Sequence, residues 1–155
     1  MLVLMLFSLA VAVCSGSAAD NTLGVWKRNI EKSTLNRPSS NPLKSLITVR
    51  EGIPGGARVT VKSVRQDGTR SEFGYSAPYD GTPVRLSISE GPFDMLSVKQ
   101  LDANTLLIEN WKGDGTYRTK SKSVVAPDGK TMVNTLTGVD GQGNELRFTI
   151  VYEKQ

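Results

Sequence analysis

From Asn144 to Lys154 the chain reads Asn-Glu-Leu-Arg-Phe-Thr-Ile-Val-Tyr-Glu-Lys. Leu146, Phe148, Ile150 and Tyr152 share one parity, and Glu145, Arg147, Thr149 and Glu153 take the other, which is the period of a strand with one face buried and one in water. The same alternation sets Val59 and Val61 against Arg58, Thr60 and Lys62, and Phe73 and Tyr75 against Glu72 and Gly74. Further strands are expected near 43–50, 94–101, 105–112, 116–125 and 131–139, with short pieces at 24–29 and 82–88. No helical period is sustained over three turns. At most one short helical turn fits between Ile30 and Leu43, where Pro38 and Pro42 limit its length.

Between these segments stand Asp67-Gly68, Asp80-Gly81, Asp114-Gly115, Asp128-Gly129 and Asp140-Gly141, with Asp102-Ala103-Asn104 in the one wide gap. Asp and Asn tolerate left-handed backbone and Gly favours it, so these are tight-turn signals at the rhythm of consecutive hairpins. The expected fold is all-β: an antiparallel up-and-down meander of about eight to ten strands, which hides its edges by closing into a barrel.

The first residues change where such a domain would work. An apolar run from Leu2 to Cys14 precedes Ser17-Ala18-Ala19, a small-x-small pattern like a signal-peptidase site, and the run is too short for a membrane anchor. Residues 1–19 are therefore read as a signal peptide and residues 20–155 as a single barrel domain. The product is expected to be secreted or periplasmic with no transmembrane anchor. Cys14 leaves a second reading open, a lipidated lipoprotein cysteine, although the preceding Val13 is bulky for that signal. Beyond the leader there is neither cysteine nor histidine. Disulfides, thiolate nucleophiles, His-based triads and the usual zinc or copper sites are thereby excluded, and no metal or cofactor is called for. The net charge of +4 is mild and fits a solvated surface as well as an anionic partner.

The stretch Gly24-Val25-Trp26-Lys27-Arg28-Asn29-Ile30-Glu31-Lys32-Ser33 opens the domain. Gly24 permits a tight turn into the first strand, and Trp26 then points into the barrel's end. Gly-Val-Trp resembles the G-x-W signature of lipocalins and intracellular fatty-acid-binding proteins, two branches of the calycin barrels. The ten-residue string, with the Asp128-to-Met132 turn, is more similar to uncharacterised bacterial secreted lipocalin-like proteins. The resemblance implies that Gly24 and Trp26 close one end of the barrel and that a basic residue of the last strand, with Arg147 as candidate, packs over the indole. It also implies a ligand cavity. The late motif and C-terminal helix of lipocalins are absent, and Ile150 stands where fatty-acid-binding proteins carry the arginine of their closing R-x-Y, of which Tyr152 alone matches.

Phe73, Tyr75, Leu106, Ile108, Tyr117, Phe148, Ile150 and Tyr152 are the inward positions that would line such a cavity, or, alternatively, simply fill the core. Arg118, Lys120 and Lys122 alternate with Thr119 and Ser121 and form a basic outer stripe, read either as a groove for an anionic envelope component or as a solvated face that blunts aggregation. Nucleic acid is not expected, because Tyr117 lies on the opposite face from these cations. Glu72, Glu109 and Asp94 are available for acid-base chemistry, but nothing in the sequence pairs them. Asp140 to Glu145 lacks the ligand spacing of a calcium loop and reads as a hairpin turn. Three functions are thus set out: non-covalent binding of a small, mainly apolar ligand, an envelope module using the basic face, and a barrel enzyme of the cyclase or isomerase kind.

Overall fold

A computed structural model describes residues 19–86 and 91–155; the apolar leader with Cys14, and the end of the strand piece expected at 82–88, lie outside the described residues. Ten strands follow in chain order: β1 (Gly24–Leu35), β2 (Leu43–Ile53), β3 (Gly56–Arg65), β4 (Arg70–Pro78), β5 (Val84–Arg85), β6 (Met95–Asp102), β7 (Thr105–Trp111), β8 (Arg118–Val125), β9 (Thr131–Val139) and β10 (Glu145–Lys154). They form one antiparallel sheet in the order β4-β3-β2-β1-β10-β9-β8-β7-β6-β5. Each strand pairs with its sequence neighbour except across β4 and β5, and β1 pairs with β10, so the meander rolls into a nearly closed barrel. Among the described residues no helix is long and apolar enough to cross a membrane.

The two edges of the sheet, β4 and β5, meet at a seam that is stitched at one end. There Tyr79 accepts from Gln100 N at 3.0 Å, Gly81 N donates to Val98 O at 2.9 Å, and Asp80 bridges Lys99. These bonds satisfy edge backbone groups that would otherwise be open to pairing with another chain.

Aspartates make the turns as their type suggests. Asp67, Asp80, Asp102 and Asp114 each accept a hydrogen bond from the backbone N–H two residues on, at 2.8–3.0 Å. Gly68, Gly81, Gly115 and Gly129 take positive φ. The last hairpin differs: Gly143 rather than Gly141 carries the positive φ, and the Asp140 carboxylate holds the loop by accepting from Gln142 N and Asn144 N. This is the hairpin turn read from the sequence.

The helical turn between Ile30 and Leu43 is replaced by strand, because β1 continues to Leu35 through a bulge. Asn29 pairs with Val151 and Thr34 with Thr149, five steps along β1 against two along β10. Polar side chains hold the surplus loop in the ladder. Ser33 Oγ donates to Asn29 O at 2.6 Å and accepts from Val151 N at 3.1 Å, while Asn29 Oδ1 accepts from Lys32 N at 2.9 Å.

Register fixes what faces inward. Trp26 lies opposite Thr48 and Lys154, Arg28 opposite Tyr152, Arg50 opposite Val59, and Val59 opposite Tyr75. The buried core forms two clusters. Ala77, Leu86, Leu96, Val98 and Leu106 pack with Tyr75, Tyr79 and Ile108, and Trp26 packs with Val125, Met132 and Tyr152.

Candidate functional site in the barrel interior

One end of the barrel is closed by Trp26, which is 0% exposed. Gly24 enters β1 at φ +120°, a conformation a side chain rarely adopts. The indole Nε1 donates to Thr22 O at 2.8 Å, so the ring is buried with its single polar group satisfied. The cation over the ring is Lys154, its Nζ 5.1 Å from the centroid. Arg147, the residue expected there, instead binds Glu145 on the outer face at 2.6 Å and donates through Nε at 2.9 Å. The correction follows from strand direction. β10 runs antiparallel to β1, so the start of β1 meets the end of β10, and Arg147 sits at the opposite end with outward parity.

The other end opens into a cavity of about 650 Å³. Leu46, Val61, Ser63 and Phe73 wall it from β2–β4, and Leu86 and Phe93 stand across from them. Phe73 is 39% exposed for this reason, although its parity is inward. Phe93 in turn stacks on Tyr117, with centroids 6.0 Å apart, at the lip.

The remaining expected lining residues are spread through the barrel. Leu106 and Tyr117 are buried, whereas Tyr75, Ile108, Phe148, Ile150 and Tyr152 are partly buried. Of the eight, Phe73 alone borders the mouth cavity. Tyr75 lies one inward step deeper on β4, and Tyr152 lies across from Arg28.

Sequence reading missed the interior's most unusual feature, which is charge. Arg28 and Arg50 are 9% and 5% exposed. Arg28 Nε and Arg50 Nε and Nη2 are buried with no hydrogen-bond partner, as are Gln100 Nε2 and Asn134 Oδ1. Arg50 lies beside Tyr75, Tyr79 and Asp20. Asp20 already accepts from Thr22 N at 2.9 Å, Thr22 Oγ1 at 2.6 Å and Tyr79 Oη at 2.8 Å. Burial raises the pKa of the Tyr75 and Tyr152 phenols, partly offset by Arg50 beside the first and Arg28 beside the second. Both phenols are therefore neutral O–H donors near pH 7. Burial pulls the Arg28 pKa down against the effect of Tyr152, but a guanidinium remains protonated in any such setting. From β8, Ser121 and Ser123 add hydroxyls, and Asn134 donates to the latter at 2.9 Å.

A usable signal existed. Arg28 shares the parity of Trp26, and Arg50 that of Thr48 and Leu46, so an inward tryptophan implies an inward arginine two residues later.

Outside, the charges are paired. Glu109 holds Lys120 at 3.1 Å and Arg118 at 3.4 Å, which neutralises part of the basic stripe. Glu72 faces Lys62 at 3.5 Å, and Asp94 faces Arg85 at 3.8 Å while accepting from Gly113 N. Compared with protein-family models and with curated proteins, the chain matches none.

Proposed function

We propose that this protein is an exported, lipocalin-like barrel that binds a small, mainly apolar ligand non-covalently through its open end. The observation that carries the reading is the cavity of about 650 Å³ between β2–β4 and Leu86, Pro92 and Phe93, a size suited to a small organic ligand and walled largely by apolar side chains. The opposite end is stoppered by Trp26, so the barrel is a cup rather than a channel. Export is supported by the Leu2–Cys14 run and the Ser17-Ala18-Ala19 pattern, and the calycin kinship by Gly24-Val25-Trp26 opening β1.

The test is titration with the neutral dye N-phenyl-1-naphthylamine, whose emission rises in apolar surroundings. A saturable response with one site per chain is expected, and Leu46→Trp, which fills the cavity wall, should abolish it while leaving the circular dichroism of the sheet intact. A folded protein with no saturable response, or one whose response survives Leu46→Trp unchanged, would remove the proposal.

A further inference from the structure

Beyond the mouth cavity, the buried guanidinium groups of Arg28 and Arg50 both act on the Tyr152 phenol, and their chemistry bears on the headgroup of the ligand. Going inward from the cavity wall, Leu46 on β2 is followed by Thr48 and Arg50, Val61 on β3 by Val59, and Phe73 on β4 by Tyr75. Two inward positions on a strand are about 7 Å apart. The arginine cluster is thus within the length of a short alkyl chain from the cavity.

A buried guanidinium with unpartnered N–H groups is destabilising on two counts, the lost hydrogen bonds and the desolvated charge. At Arg50 burial is outweighed by Tyr75, Tyr79 and Asp20, which together raise the pKa, whereas at Arg28 burial prevails over Tyr152 and lowers it. Water entering the barrel would restore hydrogen bonds without supplying a counter-charge. Among the described residues, no inward position of any strand carries Asp or Glu. The registers place Trp26, Arg28, Thr48, Arg50, Tyr75 and Tyr152 on the inner face here, with Ser, Thr and Asn opposite. Among the described residues Asp20 is the single carboxylate beside Arg50, and it is already engaged by Thr22 and Tyr79. Two guanidinium charges against one carboxylate leave an excess of one positive charge. Lys154 adds to the same sign but is solvated at the rim.

We propose that the natural ligand is an amphipathic monoanion, its headgroup seated on Arg50 and Arg28 between the Tyr75 and Tyr152 hydroxyls and its apolar part extending to the mouth cavity. This rests on the ligand-binding reading above and narrows it to a chemical class. A planar carboxylate suits the case best, since the guanidinium forks donate only and the neutral phenol O–H groups, while able to accept, can each donate to it as well. The grip comes from β1 and β2, whereas the last strand carries Ile150 at the place where fatty-acid-binding proteins carry an arginine.

The experiment is isothermal titration with decanoate, decan-1-ol and decyltrimethylammonium, three probes of one chain length and different headgroup charge. Decanoate should bind roughly tenfold or more tightly than decanol, and the cation more weakly than either. Arg50→Gln, checked for fold by circular dichroism, should lose the decanoate advantage and keep decanol affinity within about threefold; Arg28→Gln should reduce the advantage. If either variant fails to fold, the wild-type ranking of the three probes still decides. Decanol or the cation binding as well as decanoate, or a decanoate preference that survives in both folded variants, would overturn the anion assignment and leave the apolar-ligand reading standing. Absence of binding by all three probes together with the neutral dye would overturn both.

Discussion

At the scale of a residue, Trp26 shows how one side chain can set an architecture. Its indole is wholly buried, its N–H is satisfied by Thr22 O, and Lys154 lies over its face. The cation contact at this exposed rim contributes about 0.5–1 kcal/mol, much less than the burial of the ring itself. Trp26→Ala should therefore lower the free energy of unfolding by about 3–5 kcal/mol. Trp26→Phe, which keeps most of the apolar volume but strands the Thr22 carbonyl, should cost about 1–3 kcal/mol. Urea titration of both variants checks the order. A Phe variant as damaged as the Ala variant would mean that the hydrogen bond, not the packing, holds the plug. The plug could be read from Gly24-Val25-Trp26 because a signature tryptophan is local. Its cation could not, since choosing Lys154 over Arg147 requires knowing which end of β10 meets β1. The arginine pair escaped notice because an arginine on a strand is read as outward by default, although Arg28 shares the parity of Trp26; the register with Tyr152 and Val59 places Arg28 and Arg50 inside.

At the scale of an element, the hairpin turns were legible because their chemistry is contained in four residues, while the extension of β1 to Leu35 was not. Its bulge depends on Ser33 lending its hydroxyl to Val151, a partner 118 residues away. The turn aspartates carry a consequence for acid stability. The pKa values of Asp67, Asp80, Asp102, Asp114 and Asp140 are all lowered, principally by hydrogen bonds donated to the carboxylate from residues just beyond each turn. A carboxyl group whose folded pKa lies below its unfolded value stabilises the fold fully above the unfolded value, near 4, and that contribution is lost as the pH falls through the folded value. Stability should thus decline steadily below about pH 4. Replacing the five aspartates with asparagine retains an acceptor oxygen in each turn and removes the titrating group. The variant should show a flatter dependence of the urea midpoint on pH between about 5 and 2.5. An undiminished slope would assign the acid sensitivity to other carboxylates, of which Glu109 and Glu153 are the next to consider, their pKa values being held down by Lys120 and Arg118 and by Asn29 and Lys32 respectively.

At the scale of the whole molecule, the ladder runs without a break from β4 through β1 and β10 to β5, and the two edges of the sheet flank a seam. The stitch at Tyr79, Asp80 and Gly81 holds the end near the Trp26 plug, and the mouth cavity lies at the other end. Arg70 to Phe73 present one edge to the cavity while pairing with β3 on the other. Local opening free energy should be smallest there and largest on β1, β9 and β10, which are paired on both sides. Hydrogen exchange read by peptide should show segments covering Arg70–Tyr75 taking up deuterium well before those covering Glu145–Tyr152. A saturating cavity ligand such as N-phenyl-1-naphthylamine should slow the first and leave the second unchanged. Equal protection on both sides, or slowing concentrated at β10 instead, would place the breathing seam elsewhere and with it the route by which a ligand reaches the arginines.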